Sequence, residues 1–210
     1  MTRTNLLDEA QLIATEGRCD LTQGELRTLS SLLHICHRRR QPARYLEIGV
    51  FGGGTTKWLR EQVPGLVTVG VDLFEDLHVI SNTHISGNYT KDMVQKFLGP
   101  DAQLIKGDSQ QVLPMLRGHQ FDVIFIDGNH TYEATKSDFL ASIPLLAPGG
   151  FMAFHNASPD LYPDYEYYNQ VDGGPWQISL ELQMHDPRWQ MIEQVDRLRV
   201  FADRSGFFSP

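Results

Sequence analysis

The sequence predicts a doubly wound α/β domain on a seven-stranded, mostly parallel sheet that closes with an antiparallel C-terminal hairpin. Three observations carry that expectation. Short apolar runs at 45–48, 66–72, 102–106, 121–127 and 150–155 alternate with stretches of helical periodicity, the signature of repeated βα units. The runs are almost continuously apolar, as strands buried on both faces must be. Each also ends in, or just before, a polar residue: Glu47, Asp72, Asp108, Asp127 and His155.

In chain order, 5–17 and 23–40 read as helices. The second is opened by Thr22 with Glu25 three places on, a capping-box pattern. Arg38, Arg39 and Arg40 suit its C-terminus, where cations are favoured. His34 and His37 lie on the same helix without a second ligand pair elsewhere, so they read as helix surface and core. The first strand runs into glycines at 49, 52, 53 and 54, a tight turn into a helix near 54–62. Further helices are expected near 90–98, 109–117 and 131–145. An Ala-Pro-Gly-Gly turn precedes the fifth strand, and a helix near 175–185 precedes strands at 189–194 and 197–202, joined tightly at Val195-Asp196. With no repeat or linker, 1–210 reads as one domain, residues 1–40 being a helical extension on a core of 41–210.

In open α/β sheets ligands bind outside the carboxyl ends of the strands, where these polar residues fall. The turn glycines are expected to let a ligand approach the main chain, with Glu47 facing it. The dinucleotide fingerprint G-x-G-x-x-G does not fit, because no glycine stands at 51. Asp72 suits two ribose hydroxyls. Asp108 has an alternative as the N-cap of the helix that follows. His130 could equally be a loop histidine capping the next helix, and His155 a strand-end histidine bonded to backbone.

Glu47, Gly49 and Gly53 form the pattern E-x-G-x-x-x-G, which resembles the first motif of class I S-adenosylmethionine-dependent methyltransferases. The stretches 125–132 and 147–156, with Asp138, narrow the resemblance to small bacterial O-methyltransferases related to macrolide-sugar and catechol O-methyltransferases. It implies a Rossmann-like sheet of order 3-2-1-4-5-7-6. It implies Glu47, Gly49, Gly53 and Thr55 around the methionine end of the cofactor, Asp72 at the ribose, and Asp108 and Ser109 at the adenine, with Asp127 also beside the cofactor. Asp127, His130, His155 and Asn156 would face the acceptor. In the catechol branch an acid after the fourth strand and an Asp-Asn pair after the fifth hold a divalent metal. Carried over, those positions are Asp127, His155 and Asn156. His155 stands where an acid is usual, so the set suits Mn²⁺, Fe²⁺ or Zn²⁺ better than Mg²⁺. Without a metal, His130 or His155 would be the general base.

The formal charge of −8 argues against a nucleic-acid partner, and no apolar stretch is long enough to span a membrane. The first residues lack the apolar region of a secretion signal and only two cysteines are present, so a cytoplasmic enzyme is expected. Specificity is expected in the segments 74–89 and 157–176, with His84, Tyr132 and Trp176 as acceptor contacts. The acceptor would be a small molecule of the kind met in secondary metabolism, and a homo-oligomer stays open. Two other readings compete: an NAD-type oxidoreductase, and a cofactor-binding module without turnover.

Overall fold

A computed structural model describes residues 18–74, 89–158 and 173–205. The expected helix at 5–17, His84 and most of the two specificity segments lie outside the described residues. The elements run α1 (Gln23–Arg39), β1 (Arg44–Ile48), α2 (Gly54–Gln62), β2 (Val67–Asp72), α3 (Lys91–Leu98), β3 (Gln103–Lys106), α4 (Ser109–Met115), β4 (Phe121–Ile126), α5 (Tyr132–Ser142), β5 (Leu146–Phe154), α6 (Gly174–His185), β6 (Trp189–Val195) and β7 (Leu198–Asp203). One sheet holds all seven strands in the order β3-β2-β1-β4-β5-β7-β6, with β1 to β5 parallel and β7 antiparallel to both β5 and β6. This is the expected topology.

Strand alternation sorts the core into two layers. Tyr45, Val123, Phe125, Phe151, Ala153 and Val200 point to one face, against Leu26, Leu29 and Leu33 of α1 and Trp58 and Leu59 of α2. Leu46, Ile48, Ile124, Ile126, Met152, Phe154 and Phe201 point to the other, against α4, α5 and α6. By the same alternation Glu47, Asp127 and His155, each two residues beyond an α1-facing position, turn toward α1 and α2.

The Thr22–Glu25 capping box is present in full, and basic residues fill the last turn of α1. Thr22 also donates to Asp196 Oδ2 at 2.5 Å, which pins the start of α1 to the β6–β7 turn. One boundary differs from expectation. The Ala-Pro-Gly-Gly segment lies within β5, where the pairing with β4 shifts register between Phe121 and Val123. A register irregularity lets the strand absorb Gly149, at φ +73°, without ending.

Candidate functional site

The ends of β1, β2, β4 and β5 lie level, because Ile48 pairs with Val71 and Ile126, and Ile126 pairs with Phe154. The residues that follow them form one rim. At its first turn the glycines serve the packing of the chain itself. Gly49 has φ +86°, and a Cβ there would stand 2.1 Å from the Asp127 carbonyl oxygen and 2.8 Å from Gly128 Cα. It is required so that the β1 and β4 exits can cross. Gly53 caps α2 in the left-handed region, and a Cβ there would lie 2.9 Å from Val94 of α3. These glycines thus permit backbone and helix packing in addition to any approach of a ligand to the main chain.

Glu47 is 1% exposed, behind the turn rather than open at the rim, and accepts a hydrogen bond from Thr56 Oγ1. Burial drives its carboxyl pKa up to about 8, opposed by the Thr56 hydrogen bond and reinforced by the Asp127 and Asp72 charges. Thr55 is also buried, 3.5 Å from Cys19 Sγ, and Arg18 donates to the Gly52 carbonyl at 3.3 Å. The chain before α1 thus covers this turn.

Asp72 stays at the rim, half-buried. Its Oδ2 accepts from the amides of Val50 at 2.7 Å and Phe51 at 2.9 Å, and its Oδ1 from Phe74 N at 2.7 Å. A carboxylate has roughly four acceptor sites, so one remains, on Oδ1. Asp72 fits a single further hydroxyl and shapes the turn as well. Next to it a cavity of about 310 Å³ is lined by Phe74, Thr90, Lys91, Asp92 and Lys106. Asp108 is the N-cap of α4, accepting from Gln110 N at 3.0 Å, and is exposed. Ser109 donates to Asp138 Oδ1 at 2.6 Å. Burial raises the Asp138 carboxyl to about 6, with Ser109 opposing and Asp108 adding.

The opposite end of the rim holds a cluster of charges. Asp127 Oδ1 lies 3.0 Å from His155 Nδ1 and 3.3 Å from His130 Nε2. His155 is 1% exposed, and its Nε2 faces Glu25 Oε2 of α1 at 3.5 Å, an ion-pair distance without hydrogen-bond alignment. Burial opposes the imidazolium, but the carboxylates of Asp127 and Glu25 outweigh it and raise the His155 pKa. Burial opposes the Asp127 charge likewise, and the histidines overcome it, holding the carboxyl well below the usual range. His130 is the accessible member: its side chain is 24% exposed, and Asn156 Nδ2 lies 3.3 Å from its Nδ1.

His155 is buried behind the rim, so it is not placed to act as a base on an acceptor. Its Nε2 is turned toward Glu25 and its Nδ1 toward Asp127, so in a ligand set of Asp127, His155 and Asn156 the imidazole would bind through Nδ1 with Glu25 behind it. Among the described residues no group of three or more His, Cys, Asp or Glu has an arrangement that would hold a metal. Asn156, at φ +52°, has its Oδ1 3.5 Å from Arg197 Nη1. Tyr132 and Trp176 are engaged elsewhere. The Tyr132 hydroxyl donates to Glu181 and accepts from Lys136, both at 2.8 Å. Trp176 is buried, with the Arg199 guanidinium 4.0 Å from its ring centre.

The pattern of the family described as "Methyltransferase domain" matches residues 46–157, from the middle of β1 to just past the Asp127–His155 cluster. The chain belongs to the methyltransferase-domain family. That membership sets aside the NAD-type reading. A protein of Mycobacteroides abscessus provisionally named an O-methyltransferase is 28% identical over 158 residues, 72% of this chain and 67% of its own. An uncharacterized protein of Acanthamoeba polyphaga mimivirus is 26% identical over 175 residues, 78% of this chain and 74% of its own. Among solved structures, the O-methyltransferase from Bacillus cereus in complex with S-adenosylhomocysteine superposes with a TM-score of 0.65 at 19% identity, covering 97% of this chain and 91% of that one. MycE, a methyltransferase of the mycinamycin pathway solved with Mg and S-adenosylhomocysteine, gives 0.63 at 17% identity, over 94% of this chain and 54% of that one. The methyltransferase fold is thus shared across these proteins.

Sequence reasoning missed Glu25 and Arg197. Glu25 was legible only as a capping residue, although a buried carboxylate at that position needs a partner. The alternation Phe151, Ala153, His155 was the available signal that His155 turns inward toward α1.

Proposed function

We propose that the protein transfers the methyl group of S-adenosylmethionine to a hydroxyl oxygen of a small molecule, with His130 as general base. The observation that carries the acceptor half of this reading is the His130–Asp127 pair at the rim, a half-buried imidazole whose Nε2 faces a carboxylate held below the usual range by its two histidine neighbours.

The bound cofactor supplies a methyl group on a positively charged sulfur, which leaves as a neutral thioether. Asp72 offers one oxygen to a ribose hydroxyl, beside the cavity at the ends of β2 and β3. Asp108 and Ser109 stand at the adenine side, and the main chain of 49–53 with Thr55 borders the methionine side. His130 keeps its Nε2–H on Asp127 and takes the acceptor proton at Nδ1, where the acceptor hydroxyl replaces Asn156 Nδ2, and Asp127 stabilises the resulting imidazolium. The remainder of the rate comes from holding acceptor and methyl in line.

No step of this reading runs through a metal at Asp127, His155 and Asn156. A cytoplasmic setting belongs to the same proposal and accords with Cys19 and Cys36 as free thiols.

The test is release of S-adenosylhomocysteine from S-adenosylmethionine across a panel of hydroxylated acceptors, wild type against His130→Ala. The expected loss in kcat is about 10²–10⁴-fold with the affinity for S-adenosylhomocysteine unchanged. A His130→Ala variant that retains full turnover overturns the assignment.

A further inference from the structure

Glu25 sits where a capping box alone would not put it. A capping glutamate needs only to reach back to the N-cap amide, which surface residues do, yet Glu25 is 0% exposed. Its Oε2 accepts from Thr22 N at 2.7 Å and its Oε1 from Arg197 N at 2.8 Å, so the carboxylate is clamped between the start of α1 and the β6–β7 turn. Burying a carboxylate costs several kcal/mol unless a cation answers it. The cation that answers it at its Oε2 is His155.

The contacts then continue to the rim, the Glu25–His155 step being an ion-pair contact rather than an aligned hydrogen bond. His155 donates from Nδ1 to Asp127 Oδ1, and the same oxygen takes Nε2 of His130. Asn156 closes a second path, its Nδ2 on His130 and its Oδ1 toward Arg197, whose own Nη1 holds Asp20 at 2.8 Å and whose Nε is 4.0 Å from Glu25. His130 is thus gripped from two sides by groups that all trace back to α1 and the β6–β7 turn.

We propose that Glu25 is a positioning residue: by fixing the His155 ring it fixes the Asp127 oxygen on which His130 is oriented. The proposal rests on the reading of His130 as base, and it assigns a part in the site to α1, outside the 46–157 span that the family pattern covers. Without the Glu25 carboxylate, the His155 ring loses one of its two anchors and Asp127 Oδ1 is free to rotate. His130 then samples more than one orientation.

The test is long-range ¹H–¹⁵N correlation spectroscopy of histidine-labelled protein, with His155→Gln and His130→Gln used to assign the two rings. The wild type should show a proton on His155 Nε2, the nitrogen that faces Glu25, and one set of His130 correlations. In Glu25→Gln, which keeps the shape, the His130 correlations should shift or double, while calorimetry shows S-adenosylhomocysteine affinity within twofold of wild type. Glu25→Asp keeps the charge at shorter reach and should give a smaller shift, so it serves where Glu25→Gln does not fold. Once an acceptor is found, Glu25→Gln should lower kcat at least tenfold with KM for S-adenosylmethionine within twofold. A wild-type His155 unprotonated at Nε2 overturns the proposal. So do His130 signals unchanged in a folded variant that has merely lost thermal stability. Neither spectral outcome depends on methyl transfer, whereas absent S-adenosylhomocysteine binding in the wild type would count against the methyltransferase reading itself.

Discussion

Replacing Glu47 with glutamine should stabilise the protein progressively as pH rises. The carboxyl is 1% exposed and titrates at about 8 in the fold, against an ordinary value of 4.5, with burial the leading cause. Between those limits the folded chain holds a proton that the unfolded chain has released. Stability therefore falls by about 1.4 kcal/mol per pH unit over that window, and the favourable contribution is whole only below 4.5. Glutamine is neutral throughout and can still accept from Thr56. From pH 5 to pH 8 the wild type should lose roughly 4 kcal/mol relative to Glu47→Gln. His155 complicates only the upper part. Its raised pKa gives stability that is full below about 6.5 and fades above it, equally in both proteins. Urea denaturation of both at pH 5, 6.5 and 8 reads the difference directly. Parallel stability curves would refute the claim that Glu47 is neutral in the fold. A loss of S-adenosylhomocysteine affinity in Glu47→Gln would refute its placement behind the turn.

Three further outcomes are expected. Asp72→Ala should weaken S-adenosylhomocysteine by about 1.5–3 kcal/mol in calorimetry and also lower the melting temperature, because it strips acceptors from the amides of Val50, Phe51 and Phe74. Unchanged melting would mean that the carboxylate does not shape the turn. Gly49→Val should fail to give a cooperative melt by circular dichroism, since its Cβ would sit 2.1 Å from the Asp127 carbonyl oxygen; a folded variant that merely loses ligand would make ligand approach the main role of this glycine. With His130 as the base, excess chelator should leave turnover intact, whereas activity that vanishes with chelator and returns with Mn²⁺ would show that a metal beside Asp127 activates the acceptor instead.

The scaffold was readable because its signals are local. Apolar runs ending in Glu47, Asp72, Asp127 and His155 mark strand exits, and Thr22 with Glu25 marks the start of α1, so element type and strand order follow. The roles at the rim were harder, because a residue's type at a strand end does not say what already occupies it. Asp72 was taken for a ribose ligand while three backbone amides claim most of its acceptor capacity. Gly49 reads from the sequence as a clearance residue alone because the neighbour it avoids, Asp127, lies 78 positions on in the chain. His155 reads from the sequence as facing the acceptor because Glu25, its second partner, comes from a helix whose sequence advertises only a cap.

Calorimetric titration of the wild type with S-adenosylhomocysteine, and separately with NAD, tests the central claim most directly. One site for S-adenosylhomocysteine is expected, weakened in Asp72→Ala and unaltered in Glu47→Gln, with no heat from NAD. Binding of NAD in place of S-adenosylhomocysteine, or no binding of either by the folded protein, would contradict that claim.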